Sequence, residues 1–173
     1  MASFPYADEY EVRRALPDVG VDPGEILAMM DDLAQREDRS WESGQCSGTM
    51  YCGDRDHYAL LNSAFAHFSH VNTLQRDMCP SATKFESEVI AMTLDLLGGA
   101  ARPGAVGLIT SGGSGSIAHA VLAYREHARE RTSRPNIIKP ETAHPAFAKA
   151  CHLFGVDVKV APIDPVTTRV DVD

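Results

Sequence analysis

From residue 105 onward, short apolar runs alternate with helical stretches, and that alternation leaves few folds open. Ala105-Val106-Gly107-Leu108-Ile109-Thr110 reads as a short buried strand, and a Gly/Ser loop follows it. Ile117, Val121 and Tyr124 then recur at helical spacing, which predicts a helix over about residues 116–132. Pro135 to Pro140 reads as a second strand, Pro145 to Phe154 as a second helix and Val156 to Ile163 as a third strand. The order β-α-β-α-β predicts an α/β fold with a mainly parallel sheet, because parallel neighbours need a crossover that a helix supplies.

The residues before this region follow a different period. Asp22 can cap a helix with Pro23 at its first position, and Ile26, Met29, Met30 and Leu33 give one apolar face over about residues 23–38. Tyr58, Leu61, Phe65 and Phe68 predict a second helix; Phe85, Val89, Met92 and Leu96 predict a third. Thr83-Lys84-Phe85-Glu86 has the form of a capping box at the start of that third helix. These aromatic stripes read as core. A helical and loop segment over residues 1–80 followed by an α/β region over 81–173 is the expected organisation.

Chemistry concentrates at the junction of the first strand and its helix. In Thr110-Ser111-Gly112-Gly113-Ser114-Gly115-Ser116 the glycines let a ligand approach the backbone, and the helix N-terminus adds partial positive charge, so a phosphate is the natural occupant. No Gly-Lys-Ser/Thr follows, which excludes a P-loop. Gly113-x-Gly115-x-x-Ala118 matches the loose dinucleotide fingerprint, with Glu141 as its candidate ribose partner. His144 follows the second strand and so belongs to the sheet edge where α/β proteins bind ligands. The other helical histidines, His67, His70, His119, His127 and His152, have no evident partner in the pattern. None of the four lysines, Lys84, Lys139, Lys149 and Lys159, sits where Schiff-base chemistry would place it.

Charge and thiol usage narrow the partners. Sixteen basic against twenty-four acidic residues, net −8, remove the electrostatic footprint of nonspecific nucleic-acid binding. No apolar run reaches the length of a membrane span. Cys46, Cys52, Cys79 and Cys151 form no C-x-x-C pair, and the N-terminus lacks a signal-peptide pattern, so free thiols and a cytoplasmic location are expected. Cys46, Cys52 and His57 match no standard zinc spacing, and no metal is expected.

Four motifs in register resemble a known family. Ser47-Gly48-Thr49-Met50-Tyr51-Cys52-Gly53, then Asn72 to Asp77 with Lys84 to Val89, then Thr110 to Ile117, and finally His144-Pro145-Ala146-Phe147-Ala148-Lys149-Ala150 resemble the sphingosine-1-phosphate lyases. These belong to the group II decarboxylase-like branch of fold-type-I pyridoxal-phosphate enzymes, here in a soluble bacterial-type form. The resemblance covers about residues 40 to 173. It implies that Gly113 and Ser114 hold the phosphate of pyridoxal 5′-phosphate and that His144 stacks on its ring. It further implies that Tyr51, Asn72 and Gln75 form a substrate-phosphate site shared across a homodimer interface. The implied reaction is retro-aldol cleavage of a phosphorylated long-chain 2-amino-alcohol to an aldehyde and phosphoethanolamine.

The chain departs from the family pattern at three points. The Schiff-base lysine and the aspartate that pairs with the pyridine nitrogen have no match, so the chain reads as the N-terminal portion of a lyase that does not catalyse alone. Gly115 stands where the family usually has Glu, and Gln75 where it has His. A pyridoxal-phosphate-dependent decarboxylase of the same branch, a nucleotide-binding module and a non-catalytic dimerising fragment remain the alternatives. Alone, such a piece is expected to expose a sheet edge and apolar surface.

Overall fold

Asp22 opens the first helix as the sequence predicts: its carboxylate accepts the N–H groups of Gly24 at 2.9 Å and Glu25 at 3.2 Å, with Pro23 at the first helical position. The structure, a computed structural model, describes residues 4–45, 54–99 and 101–171. The chain forms two units, Met1–His70 and Val71–Asp173.

The first unit holds α1 (Pro23–Glu42) and α2 (Arg55–Phe68), neither of which has a buried residue. Polar side chains tie it together. Tyr6 donates to Glu37 at 3.1 Å and Tyr10 to Asp32 at 2.5 Å, and Arg36 joins Glu9 of the preceding arm to Asp32, the latter at 2.6 Å. Arg55 at the start of α2 reaches Asp38 at 3.1 Å and also Glu42.

The second unit carries α3 (Pro80–Leu96), α4 (Gly113–Ala128), β1 (Asn136–Pro140), α5 (Ala146–Phe154) and β2 (Asp157–Ala161). β1 and β2 pair in parallel, with Asn136 opposite Asp157 and Pro140 opposite Ala161. Their core is Val121, Ala150 and Cys151, covered by Ile117, Ala118, Ile137, Phe147, Phe154, Val156 and Val158. Gly155, at φ 64°, ends α5 in the left-handed conformation, and the N–H of Val156 returns to the Cys151 carbonyl at 2.9 Å. The chain therefore turns directly into β2. Burial pushes the Cys151 thiol up from its ordinary pKa.

Several expectations are corrected. Residues 105–110 form no strand: Val106 is 86% exposed, and no strand pairs with this run among the described residues. A strand needs a neighbour to take its backbone groups, and apolar composition alone does not supply one. α3 begins at Pro80 after Cys79, so Thr83 and Glu86 lie inside the helix instead of capping it. α4 starts at Gly113, three residues earlier than its apolar period suggests, and stops at Ala128. The aromatic stripes are not buried, with Phe65 70% and Phe85 50% exposed. No helix among the described residues is long and apolar enough to cross a membrane.

Candidate functional site

The loop 110–116 is organised by its two hydroxyl side chains. Thr110 Oγ1 donates to the Gly112 carbonyl at 2.9 Å and lies 2.7 Å from Ser116 Oγ. The Gly112 N–H points back to Thr110 Oγ1 at 3.4 Å, and its carbonyl also receives the Ser116 N–H at 3.0 Å. Gly112 has φ 155°, a backbone conformation that residues with a Cβ rarely adopt. It serves as the N-cap of α4 with no side-chain capping bond.

The N–H groups of Gly113, Ser114 and Gly115 consequently have no protein acceptor among the described residues. They are the donors that the first turn of a helix leaves over, and they sit at the positive end of its dipole. Such a cradle accepts a phosphate without any cationic side chain. Gly115 is glycine for neither strain nor space. A Cβ there would meet Thr110 Cβ at 3.5 Å and Ser111 Oγ at 3.6 Å, which is ordinary contact.

His144 stands at the exit of β1, just before α5. Its Nδ1 accepts the Ala146 N–H at 3.1 Å and its carbonyl accepts the Phe147 N–H at 3.1 Å. In the neutral ring this leaves the proton on Nε2, and the ring is held against the first turn of α5, whose N-cap residue, Pro145, has no side-chain acceptor of its own.

The two helices bring the loop and the histidine to one end of the unit. Arg125 in the last turn of α4 donates to the carbonyl of Phe154 at the end of α5, at 3.2 Å, so the helices run side by side in the same direction. Their N-termini, Gly113 and Ala146, therefore share the opposite end, where β1 also finishes. No direct hydrogen bond joins His144 to the loop among the described residues.

Asn72 and Gln75 lie in the turn before α3. Asn72 Oδ1 accepts the Leu74 N–H at 3.0 Å, and the Gln75 N–H reaches the Asn72 carbonyl at 3.0 Å. The Asn72 side chain thus keeps its amide donors available, and Gln75 is exposed. Tyr51 lies outside the described residues, as do Cys46 and Cys52.

Two residues that the sequence offered only as members of longer motifs, Arg76 and Glu86, connect this turn to the loop. Arg76 pairs with Glu86 at 3.1 Å and donates to Thr83 Oγ1 at 3.3 Å, while the second Glu86 oxygen accepts the Ile109 N–H at 3.5 Å. Ile109 immediately precedes Thr110. Arg76, Thr83, Phe85, Glu86 and Ile109 also line an open groove of about 420 Å³. For Glu86 the sequence signal was the capping box, which assigned its carboxylate to the helix start and not to Arg76 and Ile109. His119, read as partnerless, places Nδ1 2.8 Å from the Gly115 carbonyl.

The chain is 39% identical over 164 residues to the sphingosine-1-phosphate lyase of Dictyostelium discoideum, covering 93% of this chain and 31% of that protein. It is 38% identical over 146 residues to sphingosine-1-phosphate lyase 1 of Mus musculus, covering 84% of this chain and 25% of that one. The structure of the Burkholderia pseudomallei K96243 sphingosine-1-phosphate lyase superposes with a TM-score of 0.88 at 54% identity, covering 98% of this chain and 40% of that one. The Lactobacillus brevis glutamate decarboxylase shares the fold, with a TM-score of 0.65 at 18% identity over 91% of this chain and 37% of that one. No protein-family profile matches. The chain thus spans about a third of the length of the curated relatives it matches, or less.

Proposed function

We propose that this chain, a homologue of the sphingosine-1-phosphate lyases, provides the cofactor-phosphate cradle and part of the substrate site of a pyridoxal-phosphate-dependent carbon–carbon lyase. The observation that carries the reading is the cradle at the start of α4, three backbone donors without a protein acceptor among the described residues, in a chain aligned with lyases over nearly its whole length. The donor set fits the group: uncharged N–H donors at a helix end suit a phosphate, and a fixed imidazole at the neighbouring helix start suits a flat aromatic ring.

When bound, pyridoxal phosphate supplies an electron sink for cleavage next to the amino-bearing carbon. The chain's own residues bind and orient. Gly113 and Ser114 hold the cofactor phosphate, and His144 lies against the ring with its Nδ1 committed to α5. Asn72, Gln75 and Tyr51 receive the phosphate of a long-chain 2-amino-alcohol, whose cleavage gives an aldehyde and phosphoethanolamine. With Gln75 neutral, this second site works by hydrogen bonding and not by charge. The active assembly is a homodimer, and the cytoplasm is its compartment.

Borohydride reduction of the native protein from its own source, followed by peptide mapping, tests the reading. The resemblance puts the cofactor-bearing lysine outside the matched motifs, so the label is expected on a lysine other than Lys84, Lys139, Lys149 or Lys159. Release of long-chain aldehyde from a phosphorylated amino-alcohol should accompany it. An unlabelled protein that releases no aldehyde would overturn the proposal.

A further inference from the structure

Within the loop, the Gly112 peptide is gripped from both sides by side chains that the proposed function leaves without a task. The hydrogens close consistently. Thr110 Oγ1–H donates to the Gly112 carbonyl at 2.9 Å, and the same oxygen takes Ser116 Oγ–H at 2.7 Å and the Gly112 N–H at 3.4 Å. One hydroxyl thus donates once and accepts twice, its full capacity. Ser116 Oγ has a second option, the Gly112 carbonyl at 3.4 Å, too long to replace the first.

This arrangement has a directional result. The Gly112 carbonyl is drawn into the first turn of α4, where it also accepts the Ser116 N–H at 3.0 Å. The peptide planes that follow then present the N–H groups of Gly113, Ser114 and Gly115 outward. Of the four consecutive residues Gly112, Gly113, Ser114 and Gly115, three are glycine. Glycine-rich backbone does not hold one conformation by itself, because it has the most conformational freedom to lose. A cradle built from it needs an external clamp.

We infer that Thr110 is a positioning residue: its hydroxyl, locked to Ser116, fixes the Gly112 peptide so that the three amides are preset for a phosphate ester, without itself touching the ligand. Presetting donors removes the ordering cost from the binding step, so loss of the clamp is read as lost preference for the phosphorylated ligand. The inference rests on the proposed cofactor site.

The test uses the whole 173-residue chain and a pair of probes that cannot condense with lysine, pyridoxamine 5′-phosphate and pyridoxamine. The wild-type chain should bind the phosphorylated probe more tightly. Thr110→Val should reduce that preference by roughly five- to thirty-fold, the usual range for one lost hydrogen-bonding group, while Thr110→Ser retains it. Ser116→Ala, in which the Thr110–Gly112 bond survives, should lose less. Amide exchange at Ser116 gives a readout without ligand, because its N–H is protected only while the Gly112 carbonyl is held. It should quicken in Thr110→Val and stay slow in Thr110→Ser. A wild-type preference that Thr110→Val keeps, or unchanged Ser116 exchange, overturns the clamp and leaves the cofactor reading standing. A wild-type chain that binds both probes alike overturns the phosphate reading, and the clamp's role falls with it. If Thr110→Val does not fold, Ser116→Ala decides: undiminished phosphate preference and unchanged exchange at residues 112–116 overturn the clamp.

Discussion

Glu86 holds the Arg76 guanidinium at 3.1 Å through one carboxylate oxygen, and its other oxygen accepts the backbone N–H of Ile109 at 3.5 Å. The turn carrying Asn72 and Gln75 is thereby tied to the residue that precedes loop 110–116. Arg76 is well exposed, so the ion pair itself contributes at most about 1 kcal/mol. The two halves of the link can be separated. Glu86→Gln keeps an acceptor for Ile109 but removes the charge; Glu86→Ala removes both. We expect each to lower the urea-unfolding free energy by less than about 1 kcal/mol, with faster amide exchange at Ile109 in Glu86→Ala only. Equal exchange in the two variants would show that the carboxylate does not hold residue 109.

His144 has one observed role, at the start of α5, and one proposed role, against the cofactor ring, and different substitutions divide them. From the residue before the N-cap, its Nδ1 takes the Ala146 N–H of the first turn at 3.1 Å, a role that any short acceptor side chain can fill. As a ring wall it needs an aromatic face. Stability by chemical denaturation should therefore rank His and Asn together above Phe, with Phe about 1 kcal/mol lower. Affinity for pyridoxamine 5′-phosphate should rank His and Phe above Asn. If both measurements fall in the same order, one of the two roles is absent.

Much of this arrangement is legible in the sequence, and the exceptions share a cause. Asp22-Pro23 marks the start of α1, and the run from Asn136 to Ala161 shows its strand, helix and strand because each carries its own period and stop signal, Gly155 above all. The loop at the start of α4 and His144 just before α5 stand where the sequence placed them, each opening a helix of the second unit. Residues 105–110 failed because a strand is a property of a pair, and the alternation of one segment says nothing about its neighbour. Phe65 and Phe85 failed for a related reason: periodicity identifies an apolar face and not what covers it. The start of α3 was hidden because Pro80 was the true N-terminal signal, while Thr83 and Glu86 spend their polar atoms on Arg76 and Ile109. The Thr110–Ser116 clamp crosses a loop of glycines, and spacing alone gives no reason to join its ends.

The Tyr10–Asp32 contact makes the docking of residues 4–22 on α1 dependent on pH at both extremes. The hydrogen bond from Tyr10 holds the Asp32 carboxyl below its ordinary pKa, and the same bond holds the Tyr10 phenol above its own. For Asp32 the lowered value means stabilisation present above the ordinary carboxylate pKa of 3.8 and lost as pH falls through the shifted one. For Tyr10 the raised value means stabilisation present below the ordinary phenol pKa of 10.0 and lost as pH rises through the shifted one. Asp32→Ala should bring the Tyr10 phenol back toward its ordinary titration, read by ultraviolet tyrosinate absorbance, and should expose residues 4–22 to limited proteolysis at neutral pH. Unchanged titration would mean the bond is not formed in solution.

Two glycines three residues apart should respond oppositely to a single methyl group. Gly112 at φ 155° holds a conformation that costs a residue with a Cβ of order 1–3 kcal/mol, and its peptide is the one the Thr110 hydroxyl grips. Gly112→Ala is therefore expected to destabilise the second unit and to release the loop. Gly115 lies inside the first turn of α4, without positive φ, and a Cβ there meets nothing closer than 3.5 Å. Alanine at that position removes backbone freedom from the unfolded chain and should stabilise by up to about 1 kcal/mol. Thermal unfolding of the two variants gives the sign of each. The informative comparison is with ligand: if Gly115→Ala is more stable yet binds pyridoxamine 5′-phosphate less well, the space above residue 115 belongs to the phosphate. If stability and affinity rise together, that space is free, and the glycine is required by neither the fold nor the ligand.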